Sequence, residues 1–271
     1  MLHPTQLRTV LEQDDVIIID ARGGPDALDR YKQSHVKGAL RVDLETELSQ
    51  KGISAADGGR HPLPSPERFG AVLSRLGIPP TSHVIVYDDK NGANAAARFW
   101  WMMVAAGHSK IDVVDGTLEH MQQAGIPFVS GDPPAPSTPT RYAIQKWLLE
   151  TATIDDVAKS VNDPSMLVID VRENYRYRGD SEPIDLIAGH IPGAINVPYT
   201  SNLSAEGKFL TSDELSSKYK EILGDRKADQ VIIHCGSGVT ACHTLLAMDQ
   251  AGIQGAKLYV GSWSEWSRKK L

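Results

Sequence analysis

Cysteine is scarce: the 271 residues contain two, Cys235 and Cys242. That excludes a disulfide-stapled scaffold of the secreted kind. The pair lies seven positions apart in one strand-turn-helix segment, and a helix separates such positions by roughly 10 Å, beyond the reach of a disulfide. Two thiols without other clustered soft ligands also exclude a structural zinc site, and no metal or cofactor is expected. Long apolar runs are missing too. None approaches the roughly 20 residues of a membrane span, and the opening MLHPTQLRTVLEQDDVIIID has no basic segment leading into a long apolar one. A cytoplasmic location with no membrane partner is the expectation. Excess positive charge is absent, because 34 acidic residues outnumber 28 basic ones and the formal net charge is -6. Without a positive surface field, nucleic acid is excluded as a partner. What the chain does have is apolar content: 41% hydrophobic residues suffice for one large domain or two of about 100–150 residues.

Internal repetition favours two. VIIIDARGGPDALDRYKQSHVKGAL, from Val16, runs parallel to LVIDVRENYRYRGDSEPIDLIAGHIPGAI, from Leu167, so that Asp20 answers Asp170, Arg22 answers Arg172 and His35 answers His190. HVIVYDDKNGANAAARFWWMMVAAG, from His83, matches QVIIHCGSGVTACHTLLAMDQAG, from Gln230, and VVDGT matches YVGSW. Matched segments recurring in the same order imply a duplicated domain. Its short β-branched runs read as strands buried on both faces, as in a parallel sheet, and they alternate with helical patterns such as PERFGAVLSRLG. Each copy is therefore expected to be an α/β unit, a parallel sheet with helices on both faces. Residues 1–129 form the first and 146–271 the second, joined over 130–145 by a connector in which SGDPPAPSTPT holds four prolines. The aspartate-arginine pairs and the histidines recur in both copies, which marks them as features of the fold.

The stretch VIIHCGSGVTACHTLLAMDQAG carries the chemistry. Cys235 follows an apolar strand and precedes a helix expected to start at Val239 or Thr240, at the carboxyl end of the sheet where ligands bind in open α/β folds. Gly236, Ser237 and Gly238 let the backbone curl so that several N–H groups converge, and the helix adds its positive end. Such a nest favours the thiolate, the nucleophilic form of cysteine. The matching position in the first copy is Asp88, which offers no thiol. Cys242, Trp263 and Trp266 are expected to pack in the core, and His234 to face the sheet.

CGSGVTA after VIIH, with RYRG, EPI and GHIPGAINVP upstream and LYVGSWSEW downstream, resembles the tandem rhodanese family of sulfurtransferases over nearly the whole chain. The resemblance implies two rhodanese-like domains, each with a five-stranded parallel sheet, of which only the second is catalytic, the first supplying one wall of a cleft. It implies double displacement: Cys235 takes sulfane sulfur from a small donor as a persulfide and passes it to cyanide or to a thiol acceptor such as thioredoxin. The neutral CGSG loop is similar to that of 3-mercaptopyruvate sulfurtransferases, whereas thiosulfate enzymes carry basic residues after the cysteine. In that branch two arginines hold the donor carboxylate. Arg176 matches the first, but the second position reads Ile184, with Arg178 as another nearby cation. The resemblance also implies a relay in which Ser237 and His61 are joined by a carboxylate, Glu45 or Asp43. Gly236, Gly238, Val239 and Thr240 would present amides to the substrate sulfur. A thiosulfate:cyanide enzyme and a persulfide carrier serving a protein acceptor remain alternatives. A cysteine phosphatase does not, because its loop needs arginine where Ala241 stands.

Overall fold

The β-branched runs form strands at both places where the repeat predicts them. In this computed structural model residues 1–52, 54–134 and 140–270 are described; residues 135–139 of the expected connector lie outside the described residues. The chain groups into two compact units, Met1–Ser49 with Pro64–Leu148, and Gln50–Leu63 with Leu149–Leu271. The stretch Gln50–Leu63, N-terminal in sequence, thus belongs to the C-terminal unit.

The first unit holds a parallel sheet in the order Leu40–Arg41, Val16–Asp20, His83–Tyr87, Ile111–Val113, beyond which Leu2 bridges Val114 in parallel. Ile195–Asn196, Leu167–Asp170, Val231–His234, Lys257–Tyr259 and Thr151–Ala152 follow the same order in the second unit, again all parallel. The duplication read from sequence is therefore a duplication of topology, with the Leu2 bridge standing where the second unit has its fifth strand. Alternation along the strands sends side chains to both faces. In the first unit Ile18, Ile85 and Tyr87 pack with Leu7 and Met121, while Ile19, Val84 and Val86 are buried on the opposite face. The second unit buries Val168, Ile232 and Tyr259 with Val157, Trp263 and Trp266, so both tryptophans are core residues.

A polar bracket recurs at the strand ends. Arg22 binds Asp20 (2.7 Å) and donates to the Ser34 carbonyl (2.8 Å). Arg172 binds Asp170 (2.6 Å) and donates to the Gly189 carbonyl (2.7 Å). The histidine after each carbonyl, His35 or His190, stacks on Tyr31 or Tyr177 and is hydrogen-bonded to that tyrosine's carbonyl at 2.8 Å. Each tyrosine hydroxyl then donates to the carbonyl of Ala39 or Ala194. Tyrosine and histidine are four positions apart in the first copy and thirteen in the second, so the second carries nine additional residues there. Loss of one partner from a buried ion pair leaves an uncompensated charge. Arg22→Met should accordingly destabilise the first unit by about 3–5 kcal/mol in urea denaturation, with Asp20 stranded in the sheet.

Candidate active site

Cys235 is buried at the carboxyl end of the Val231–His234 strand. Its own N–H donates to the Ser262 hydroxyl (3.1 Å), its carbonyl accepts from Trp263 N–H (3.0 Å), and the Gly236 carbonyl accepts from Ser264 N–H (2.9 Å). These contacts pin the outer side of the turn to the start of the Ser262–Lys269 helix. Gly238 has φ +73, and a Cβ there would meet the Val260 carbonyl oxygen at 2.5 Å, so only glycine fits. The helix begins at Ala241 with Thr240 as its N-cap, one or two residues later than expected. Among the described residues, none accepts a hydrogen bond from the N–H of Gly236, Ser237, Val239 or Thr240. That is the arrangement of an anion nest.

The first unit shows what such a turn wants. Asp88, at the position of Cys235, is buried, and its carboxylate accepts from the N–H groups of Lys90 (2.8 Å), Gly92 (2.9 Å), Asn94 (3.0 Å) and Ala96 (3.1 Å). Burial pushes its pKa above the ordinary value, against the pull of those four amides. An internal carboxylate therefore fills the first turn, at the position where the second has Cys235.

Ser237 and His61 come together: Nδ1 of the buried His61 and the Ser237 Oγ share a hydrogen bond of 2.8 Å, the hydroxyl donating when Nδ1 is unprotonated. His61 is held in the second unit by its own segment. Gly58 N–H donates to Glu265 (3.2 Å) and Arg60 N–H to the Ser264 hydroxyl (3.1 Å). Gly59 has φ +85, and a Cβ on it would collide with the Gly261 carbonyl oxygen at 2.5 Å. The Gly-Gly pair before Arg-His is thus what lets the segment approach the turn. Asp43 and Glu45 are residues of the first unit. Asp43 binds Arg41 (2.7 Å) and accepts from the N–H groups of Glu45 and Thr46; burial raises its pKa, but Arg41 and Thr46 together hold it below the ordinary value. Glu45 is exposed.

Arg176 is buried beside the turn, but its fork is engaged: Nη2 and Nε donate to Glu182 at 2.7 and 3.1 Å. Burial opposes its charge, yet Glu182, Glu173 and Cys235 together raise its pKa. Arg178 is largely exposed and pairs with Asp180 (2.9 Å), and Ile184 is exposed, so neither supplies a second cation at the turn. Arg60 does. A Cβ built on Gly236 would lie 3.1 Å from Arg60 Nη2 and 3.3 Å from Arg176 Nη2, which places both guanidiniums against the residue after the cysteine. Sequence reading missed Arg60, although it is the neighbour of His61. His234 is fully buried with Nε2 3.9 Å from Asp170 Oδ2, and burial lowers its pKa. Cys242 is a buried free thiol bonded to the Gly238 carbonyl (3.4 Å). Among the described residues no cluster of three or more histidine, cysteine or acidic side chains could hold a metal, and no helix is long and apolar enough to cross a membrane.

A duplicated parallel α/β unit with a cysteine in an open amide turn defines a class of proteins built to hold a small anionic group on sulfur. The chain belongs to the rhodanese family: residues 3–124 and again 153–269 match the rhodanese-like domain. It is 36% identical to a probable 3-mercaptopyruvate sulfurtransferase of Pseudomonas aeruginosa, over 98% of this chain and 94% of that protein. Identity is 39% to a putative thiosulfate sulfurtransferase, SseB, of Mycobacterium tuberculosis, over 94% and 88%. The solved structure of the 3-mercaptopyruvate sulfurtransferase from Leishmania major superimposes with a TM-score of 0.84 at 30% identity, covering 98% of this chain and 74% of that one.

Two substitutions test the turn. Asp88→Asn, isosteric but able to accept on one oxygen only, should destabilise the first unit by about 2–4 kcal/mol in denaturant, because amides lose their acceptor. Gly238→Ala should abolish persulfide formation while leaving the Cys235 thiol detectable by alkylation of the unfolded chain.

Proposed function

We propose that the protein is a sulfurtransferase that moves sulfane sulfur through a Cys235 persulfide, with 3-mercaptopyruvate as the favoured donor. The observation that carries this reading is the turn after Cys235, in which the N–H groups of Gly236, Ser237, Val239 and Thr240 have no acceptor among the described residues, while in the other unit's turn four N–H groups hold the Asp88 carboxylate. An amide nest of this kind stabilises a terminal persulfide anion as well as the attacking thiolate. The neutral residues of the turn and the names of the relatives support mercaptopyruvate over thiosulfate.

The steps follow from the groups present. The Cys235 thiolate attacks the donor sulfur, the sulfur–carbon bond breaks as the sulfur–sulfur bond forms, and the carbon fragment leaves as the enolate of pyruvate. The proton of the donor thiol ends on that carbon. Ser237, bonded to His61, is placed to hand it over, and the hydroxyl-imidazole pair is suited to moving a proton near neutrality. Arg60 and Arg176 hold the donor carboxylate near Gly236, and the amides of Gly236 through Thr240 keep the persulfide. Attack by cyanide, or by a thiol such as that of thioredoxin, on the outer sulfur then breaks the sulfur–sulfur bond and restores the thiolate. A second reading, thiosulfate as the main donor, draws on Ile184 at the place of the second arginine and on the Mycobacterium relative.

Steady-state transfer to cyanide with each donor separates the two, with Cys235→Ser as the blank. A kcat/KM at least tenfold higher for mercaptopyruvate, about 1.4 kcal/mol of transition-state discrimination, supports the first reading; the opposite preference supports the second, and turnover by Cys235→Ser would overturn both. Ser237→Ala and His61→Ala should each lower kcat with mercaptopyruvate by about 10²–10⁴-fold. The double variant should be little worse than either single one, because the two side chains act as a unit.

A further inference from the structure

Asp185 lies in the nine-residue excess of the second copy, a segment with no counterpart in the copy that lacks the cysteine. Its side chain is fully buried and faces three guanidiniums: Arg60 at 3.1 Å, Arg268 at 3.4 Å and Arg176 at 3.7 Å. A Cβ on Gly236 would stand 3.6 Å from its Oδ2, so the carboxylate sits beside the turn together with the arginines. Among the described residues, no other carboxylate is within ion-pair distance of Arg60 or Arg268. Arg172 and Arg176 have their own partners, Asp170 and Glu182. Arg176 also lies 3.9 Å from Glu173, so four guanidiniums face four carboxylates, and among the described residues Asp185 alone balances both Arg60 and Arg268.

We propose that Asp185 is a specificity-determining residue, which lowers the positive charge of the arginine cluster beside Cys235 and so favours a monoanionic sulfur donor, such as an α-keto carboxylate, over a dianionic one. The inference rests on the reading of Cys235 as the sulfur-accepting nucleophile. Its logic is Coulombic. The interaction scales with the product of charges, so a change in site charge that alters monoanion binding by a factor f alters dianion binding by f squared. The ratio of the two therefore moves by f. Asp185 acts through Arg60, Arg176 and Arg268 and need not touch the donor. The same contacts would also suit a plain brace for the Gln50–Leu63 segment, but a brace gives no reason for donors of different charge to respond differently.

The test is kcat/KM for thiosulfate and for 3-mercaptopyruvate, at low and at about 0.5 M salt, in the wild type and three variants. In Asp185→Asn the thiosulfate-to-mercaptopyruvate ratio should rise five- to tenfold, mainly through KM, and the rise should shrink in high salt as the cluster is screened. Asp185→Glu, which keeps the charge, should return the ratio to within twofold of the wild type. Arg268→Gln, which removes one positive charge, should shift the ratio the other way, and it tests the same inference should Asp185→Asn fail to fold. A ratio that stays within twofold in both charge-changing variants, or equal losses with both donors, would overturn the inference and leave the persulfide reading standing. A wild type inactive with both donors, or an active Cys235→Ser, would instead overturn the reading beneath it.

Discussion

Everything at the active end of this molecule depends on one constraint: a tight turn between strand and helix points several N–H groups at the same small volume, and those groups need an anion. Buried amides without acceptors are costly. The first unit meets the need from within, with the Asp88 carboxylate bonded to four amides. In the second unit cysteine takes the aspartate's place, and among the described residues none accepts from the N–H of Gly236, Ser237, Val239 or Thr240. The two turns differ in sequence and length, while the surrounding fold is kept. Sheet order, the aspartate-arginine pair and the tyrosine-histidine bracket are the same in both units.

Charge is managed around that turn by residues from three separate stretches. The Gln50–Leu63 segment brings Arg60 and His61, the nine-residue excess brings Glu182 and Asp185, and the last helix brings Arg268. Each cation has a carboxylate within reach, so the guanidiniums are oriented before any donor arrives. Preorganisation of this kind removes part of the cost of ordering long side chains on binding. On the proposed reading, a donor carboxylate would enter a set of existing ion pairs and share the arginines with them.

How much of this was legible in the sequence follows from where the information lies. The fold was readable, because parallel strands buried on both faces announce themselves as β-branched runs, and because a repeat supplies two readings of every element. Cys235, Gly236, Ser237 and Gly238 were readable for a related reason: nucleophile, glycine and helix start must be adjacent for the turn to exist, so the chemistry is local in the chain. The meeting of Ser237 with His61 was foreseen only through family resemblance, since 176 positions separate them. Arg60 was missed. Its contact with Asp185 spans 125 positions, and nothing local distinguishes it from a solvated arginine. The one available signal was the Gly58-Gly59 pair, whose left-handed backbone and close approach to Gly261 mark the segment as docked. Ile184 was rightly noticed as a departure from the pattern, but its exposure shows that a missing side chain does not say where the replacement stands.

The carboxylate held by the first turn and the acceptor-free amides of the second are two uses of one kind of turn. On the proposed reading, a persulfide on Cys235 would give those amides an acceptor, and whatever binds only the native state adds to its stability. Carrying cargo and being well folded would then be coupled. Between donor and acceptor such a protein would be in its more durable state, and delivery would return it to the looser one.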